Sequence, residues 1–583
     1  MRRTARNPTG RRSGPARVAA SRSQNLGDKQ QPMNLDDVWI MVPARGGSRG
    51  LPRKNARLLG GKPLLWWVLD AALGAVAGER IVVVTDDDEI DALACAKGVR
   101  VVREPETTGR ATLDDVALRT AADLFAFGAK ATDILLTLQP TCPFVRSARI
   151  GEAALALENG AGSVVTVADD RHLGWRLGAD GQPTPDYAAR VNRQQLPAQY
   201  RETGAVIGCR LGALQQQGTR ILPPIRLLGL DKAEALDIDD FHDWAIAREI
   251  ASRRRILIRA DAGVTLGMGH AYRALALAQE LARHAITLAT ARAGRLGHAL
   301  LSQYPFEVVE VDGDADFIAL AAERRPDLIV LDQLDTTAAY VQALQAKERH
   351  VVTFEDQGTG ALRADLLVSD LYENLAVPGE RQLSGIENAI LAPSFETLRE
   401  PAPFREDVAS ILVVFGGTDP SNLTHKALAA LAAAQFAGEV HVIAGPGNRQ
   451  AGALDTHGLR ARVHSGVKYM PGLFRQVDLA LSSAGRTITE LLCCGIPVLC
   501  MCQNDKELTH THASARHGVI NLGLGSLVDV QTLAAHIQRL CTASGLRQLL
   551  RERAIHETRS RANAAVIGRI MQRIGWAEPG ACG

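Results

Sequence analysis

The chain has 583 residues, too many for one hydrophobic core, so two to four domains are expected. Its 46% apolar content is that of a globular protein, and a formal net charge of +2 argues against a dedicated nucleic-acid binder and for small or mildly anionic substrates. No apolar run is long enough to span a bilayer, and nine scattered cysteines make no disulfide-like framework, which fits a reducing cytoplasm.

Residues 1–35 are rich in Arg, Ser, Gly and Pro and read as a disordered basic tail. A transit-type peptide is the less common reading, and Met33 is an alternative start. The run Val38-Trp39-Ile40-Met41-Val42 then reads as a buried first strand. The next loop, Val42 to Asn55, carries three glycines, three arginines and one lysine, and a helix-like segment starts at Pro63. A glycine loop between strand and helix exposes backbone N–H groups to an anion, and the added cations suit a polyphosphate. It has neither the ending of a P-loop nor the spacing of a dinucleotide loop.

Apolar strands alternate with helical patterns up to about Glu249. Ile81–Thr85, Ile134–Leu138 and Ser163–Val167 read as parallel-sheet strands, and the loops after them as site walls. Asp237 and Asp239 alternate along what reads as a strand end and so face one side, an arrangement suited to Mg²⁺; a helix N-terminus is the bland reading of Asp-Ile-Asp-Asp. The run Arg253-Arg254-Arg255 precedes a fresh strand, Ile256–Arg259, which divides a domain at 36–252 from the remainder of the chain. Beyond it come a glycine loop at 263–269, a long helix from about His270, and strands near Phe306–Val311 and Leu328–Leu331. Ile411–Phe415, His441–Ala444 and Leu479–Leu481 form another set. Residues 256–400 and 401–583 thus read as two successive Rossmann-like halves. Cys493, Cys494, Cys500 and Cys502 read as buried structural cysteines, and His510 and His512, placed on a helix, would face apart.

The loop Pro43–Asn55 has the form of a nucleotidyltransferase signature. With Val84–Ile90, Leu138-Gln139-Pro140-Thr141-Cys142-Pro143, Asn192-Arg193-Gln194-Gln195-Leu196-Pro197 and Asp237-Ile238-Asp239, it resembles the CMP-sialic acid synthetase (acylneuraminate cytidylyltransferase) family over Trp39–Ile250. That resemblance implies an α/β, GT-A-like nucleotidyltransferase domain joining CTP to a nonulosonic acid. Arg45 and Lys54 would hold the triphosphate, with Gly46, Gly47, Ser48, Asn55, Thr85 and Asp86 around CTP. Gln139, Arg193 and Gln194 would meet the sugar acid, and Asp237 and Asp239 would hold Mg²⁺. A homodimer through this domain is also expected. The family's tyrosine is here Ile207, and Cys142 replaces its serine.

Asp261–Arg273, Phe415–Asn422 and Ser482–Glu490 resemble the GT-B-like family of UDP-sugar hydrolases and spore-coat polysaccharide proteins related to MurG-like glycosyltransferases, over about Arg259–Ala564. By that resemblance His270 is the general base and Glu490 takes ribose. Gly267, Gly269, Gly417, Ser483, Ala484, Gly485, Thr487 and Asn504 contact a UDP-sugar. The family's D-x-Y is Asp332-Gln333-Leu334 here, without the tyrosine. Together the halves imply a bifunctional, cytoplasmic enzyme of nonulosonic acid biosynthesis. It would make a CMP-sugar such as CMP-pseudaminic acid and hydrolyse a UDP-2,4-diacetamido-2,4,6-trideoxyhexose. The alternatives for the second half are a glycosyltransferase and a non-catalytic nucleotide-sugar-binding module.

Overall fold

The computed structural model describes residues 35–576 apart from 48–49, 105–110, 264–265, 348, 374–375, 398–399, 402, 446, 449–453 and 468. The basic tail, Ser48 and most of the Glu104–Thr112 segment therefore lie outside the described residues. The chain divides into two compact units after Ala251.

The first unit is built on seven strands: β1 (Val38–Pro43), β2 (Ile81–Thr85), β3 (Arg100–Arg103), β4 (Ile134–Thr137), β5 (Ser163–Asp169), β6 (Tyr200–Arg210) and β7 (Ile225–Gly229). Their order is β7-β5-β6-β4-β1-β2-β3. Val38, Ile40 and Val42 enter one core and Trp39 and Met41 the core on the opposite face. With both faces covered by helices the strand has no polar side, which is why it reads as an unbroken apolar run. One expectation fails. β5 is not simply a parallel-sheet strand: it runs parallel to β7 but antiparallel to β6. The cause is β6, which returns after the excursion at 170–199 and enters the sheet in the reverse direction, antiparallel to β4 as well. That excursion carries the small hairpin Trp175–Leu177 with Pro183–Pro185, where Trp175 and Leu177 are exposed.

The second unit contains two parallel sheets. The first is formed by β8 (Arg255–Ala260), β9 (Ala285–Ala291), β10 (Glu307–Val311), β11 (Leu328–Asp332), β12 (His350–Phe354), β13 (Leu366–Ser369) and β14 (Gln382–Ser384). The second is formed by β15 (Ser410–Val414), β16 (Glu439–Ala444), β17 (Arg460–Ser465), β18 (Leu479–Ser482), β19 (Val498–Cys502) and β20 (Val519–Leu524). The orders β10-β9-β8-β11-β12-β13-β14 and β17-β16-β15-β18-β19-β20 both start in the middle and wind outward each way. This is the doubly wound plan, with its ligand crevice at the carboxyl ends where the order reverses. Two such sheets in tandem make the GT-B-like double Rossmann arrangement. The last helix, Asn563–Arg573, returns to the first sheet: Val566 and Ile570 pack into that core. Asn563 seals the crossing, donating to Glu280 at 3.0 Å and to the Leu391 carbonyl at 2.8 Å.

The eight described cysteines are free thiols, and no described helix is long and apolar enough to cross a membrane. Because each unit has its own sheets and cores, residues 35–251 and 252–583 expressed separately are expected to melt cooperatively. A broad, non-cooperative melt of both fragments by circular dichroism would contradict the division.

Candidate functional sites

In the first unit the loop after β1 is tied down from three sides. The Gly46 N–H donates to Asp86 Oδ1 at 2.9 Å, so in this arrangement it is spent on the protein. Buried Asn55 donates from Nδ2 to the Arg45 carbonyl at 3.0 Å, while the Arg45 side chain stays exposed and Gly47 is open. Arg53, which sequence reasoning passed over, adopts φ 57° and pairs with Asp87 at 2.7 Å, the residue that caps the helix Asp88–Ala96. Thr85 is fully buried at the end of β2, and its hydroxyl accepts the Asp87 N–H at 3.1 Å.

Lys54 is 8% exposed. Its ammonium donates to the Ile238 carbonyl and lies 3.6 Å from Asp239 Oδ1. The two acidic residues do not sit on a strand end, contrary to the sequence reading: 237–239 is an unpaired segment between β7 and the helix Phe241–Ala251. The physical reason is that the chain leaves edge strand β7 and turns at Asp231–Glu234. It is then fastened to the sheet's carboxyl end by one bond, Ile238 N–H to the Thr141 carbonyl at 2.9 Å. Helix capping falls to the next carboxylates. Asp240 Oδ1 accepts the His242 and Asp243 N–H groups, and Asp243 Oδ2 accepts that of Asp239. Asp237 and Asp239 are thereby left for other work. Asp237 Oδ1 is buried without a hydrogen-bond partner, and the Asp239 side chain is 78% exposed. Burial first, and the Asp237 charge second, push the neighbouring Cys142 thiol up to about 12. Gly50 completes the closure: a Cβ there would lie 2.2 Å from the Asp239 carbonyl oxygen, so only glycine lets the loop pass.

Gln139 follows β4, its N–H donating to the Gly204 carbonyl at 3.0 Å. Arg193 and Gln194 form an exposed turn, with Arg193 Nη2 reaching the Asp169 carbonyl at 3.5 Å. Among the described residues neither bonds to the loop at Gly46–Asn55.

In the second unit His270 is the second residue of the helix Gly269–Glu280, and its side chain does not cap that helix. Nδ1 lies 2.6 Å from Oδ1 of Asp332, the fully buried last residue of β11, and the imidazole keeps 12% of its side-chain surface. Burial alone would raise the Asp332 carboxyl. The Arg273 charge, with the hydrogen bonds from Arg273 and His270, outweighs it and holds the group well below the usual carboxylate range. The sequence reading quoted Asp332 and Arg273 within motifs but gave neither a role. A legible signal existed: an aspartate ending an apolar strand, and an arginine one helical turn after the histidine.

Gly267 (φ 79°) exchanges two backbone bonds with Gly263, closing the loop before the helix. Gly269 faces the other half, since a Cβ there would lie 3.1 Å from Arg486 Cδ. The Gly417 carbonyl accepts the Gly447 N–H at 2.9 Å. The turn Ser483-Ala484-Gly485, leading to Thr487 at the start of its helix, is held from below. Glu507 Oε2 accepts the Ala484 N–H at 3.1 Å, His510 Nδ1 meets the Ala484 carbonyl at 2.6 Å, and His512 Nε2 meets the Gly485 carbonyl at 3.2 Å. The two histidines are not on a helix and do not face apart. They come after the short helix Asp505–Leu508 in a loop, with rings 5.8 Å apart under the same turn. Asn504 caps that short helix, its Oδ1 accepting the Glu507 N–H at 3.0 Å. Glu490 is half-buried, and burial pushes its carboxyl up to about 7 against the lowering charge of Arg486. No group of three or more potential metal ligands occurs among the described residues.

The cytidylyltransferase family profile matches residues 39–203. CMP-N,N'-diacetyllegionaminic acid synthase of Legionella pneumophila is 30% identical over 227 residues, 36% of this chain and 95% of that protein. The chain belongs to the cytidylyltransferase family through its first unit. It spans about half the length of the longer N-acylneuraminate cytidylyltransferases it matches, 50% for one of Danio rerio and 52% for that of Escherichia coli. Spore coat polysaccharide biosynthesis protein SpsG of Bacillus subtilis is 26% identical over 309 residues, 50% of this chain and 90% of that protein. Among solved structures, Acinetobacter baumannii MurG covers 55% of this chain and 99% of its own, at 17% identity and a TM-score of 0.41.

Burial holds His512 neutral and pushes its pKa down to about 4. An unfolded histidine titrates near 6.5. The stability from keeping it neutral is therefore fully present above about pH 6.5 and is lost as pH falls through 4. The total loss is of the order of 3 kcal/mol. Urea unfolding of the wild type and His512→Gln from pH 7.5 to 4 should show a shallower acid loss in the variant. Parallel curves would contradict this.

Proposed function

We propose that the first unit transfers CMP from CTP to the anomeric hydroxyl of a sialic-acid-like nonulosonic acid. The second unit, in this proposal, hydrolyses a UDP-sugar. Family membership supports the first reading. The observation that carries its chemistry is the buried, unpartnered Asp237 Oδ1 beside Asp239 and Lys54, where the glycine loop returns.

Those residues fit Mg²⁺. One orphaned carboxylate oxygen and one exposed carboxylate are a normal protein share for an ion that takes its remaining ligands from water and substrate phosphates. When bound, the ion supplies charge to stabilise the α-phosphate and the departing pyrophosphate. Lys54 adds a fixed positive charge whose partners hold it at the same place. Arg45, exposed at the loop, is free to swing onto the triphosphate. Gln139, Arg193 and Gln194 are assigned to the sugar acid, Arg193 to its carboxylate. Self-association through the exposed hairpin of Trp175 and Leu177 belongs to the same proposal.

For the second unit the supporting observation is the His270–Asp332 pair. With the Nδ1 proton donated to an ionised carboxylate, Nε2 carries a lone pair and can take a proton from water. The carboxyl ends of both sheets supply the remaining walls, and Glu490 and the turn at Ser483–Gly485 are assigned to the nucleotide.

Asp237→Asn keeps the shape of the side chain and removes its charge. CMP-sugar formation should fall by about 10²-fold or more, with the Mg²⁺ requirement moved to higher concentration, while UDP release is untouched. Near-normal turnover at limiting Mg²⁺ would remove Asp237 from the site. Conversely, His270→Ala should cut UDP release roughly 10²-fold and leave CMP-sugar synthesis intact. A folded variant with undiminished UDP release, or a wild type that releases CMP instead of UDP on acceptor addition, would overturn the hydrolase reading.

A further inference from the structure

Arg273 lies one helical turn after His270, and its guanidinium is the meeting point of three carboxylates. Nε donates to Asp332 Oδ2 at 2.7 Å and Nη2 to Asp332 Oδ1 at 2.6 Å. Nη1 donates to Glu355 Oε1 at 2.9 Å and to Asp370 Oδ1 at 3.1 Å. The residue is 1% exposed. The ordinary reading of such an arginine is charge neutralisation inside a core. Three features go further.

The fork grips the same Asp332 oxygen that His270 Nδ1 meets. A carboxylate clamped on both oxygens by a guanidinium is fixed in plane and remains an acceptor only. His270 must then carry its proton on Nδ1, which leaves the Nε2 lone pair for the cleft.

The remaining partners are themselves fixed. Glu355 Oε1 accepts the Asp370 N–H at 3.0 Å, and Oε2 accepts the Ser369 hydroxyl at 2.5 Å. Burial first, and the Asp370 charge second, raise the Glu355 carboxyl.

The Asp370 end of the web lies in the field of Arg486, on the other half. Asp370 Oδ2 and Arg486 Nη1 are both buried without hydrogen-bond partners, and the Arg486 charge acts on Asp370. Arg486 comes directly after Gly485 in the turn and anchors Nη2 on the Ile390 carbonyl.

We propose that Arg273 is a positioning residue for the reaction at His270, fixing the imidazole tautomer through Asp332. This deepens the reading of His270 as general base and rests on it.

The test uses the full chain with ¹⁵N-labelled histidine, the His270 ring signals being assigned by comparison with His270→Ala. The tautomer is read whether or not any sugar is hydrolysed. The wild type should show the Nδ1–H form. Asp332→Asn, of the same shape, sets an amide donor against Nδ1; it should switch the ring to Nε2–H and cut kcat for UDP release by about 10³-fold or more, with the Kd for UDP unchanged. Arg273→Met should lose the single tautomer, and Arg273→Lys, with the charge but not the fork, should give a mixture and an intermediate kcat. If Arg273→Met does not fold, Arg273→Lys decides. A folded Arg273→Lys with an undisturbed Nδ1–H ring overturns the proposal. If the tautomers respond as expected but the wild type releases no UDP, the hydrolase reading fails while the positioning role stands.

Discussion

Sheets covered by helices on both faces leave little room for polar side chains along their strands, so chemistry gathers at the strand ends. Nearly every candidate residue obeys this constraint. Thr85 ends β2 with Asp86 next to it, and Gln139 follows β4. Asp332 ends β11, Glu355 follows β12 and Asp370 follows β13, while Ser483 follows β18. The clustering of charge at one end of each sheet is thus a consequence of where the backbone permits it.

Charge placed at a buried strand end has to be compensated locally, and the two units do so differently. In the second unit the compensation is internal. Arg273 pairs with Asp332 and Asp370, the Arg486 charge lowers the Asp370 carboxyl, and burial raises that of Glu355. Removing one member of such a web leaves the others buried and unpaired, which costs more than the pair itself contributes. In the first unit compensation is incomplete: Asp237 keeps an unpartnered oxygen, and the partner nearest Asp239 is Lys54. In the function proposed above, substrate and cation complete the arrangement at that unpartnered oxygen.

The strands that are apolar on both sides were legible because an unbroken run of Val, Ile and Leu has few other uses. The runs at Val38, Ile81, Ile256 and Ile411 therefore appear where the pattern places them. β6 was not, since its first residues, Tyr200–Glu202, are exposed and polar and its apolar part, Ala205–Cys209, is short. Its reversal of direction is a property of the intervening excursion and not of its own residues. Lys54, Asp237, Asp239 and His270 could be picked out by type and order. The pairing of His270 with Asp332 could not, because the two lie 62 positions apart and only the fold joins them. Asn504 shows the opposite limit: the residue was visible, but its role as a cap is set by backbone geometry.

The central claim is that one chain carries a cytidylyltransferase site and a separate nucleotide-sugar site. It is tested most directly by ³¹P NMR of the intact protein with CTP, Mg²⁺, a nonulosonic acid and a UDP-2,4-diacetamido-2,4,6-trideoxyhexose in one tube. Pyrophosphate and a CMP phosphodiester should accumulate together while free UDP appears independently of CTP. Consumption of CTP without a phosphodiester product, or no phosphorus chemistry at all in the presence of all four components, would contradict it.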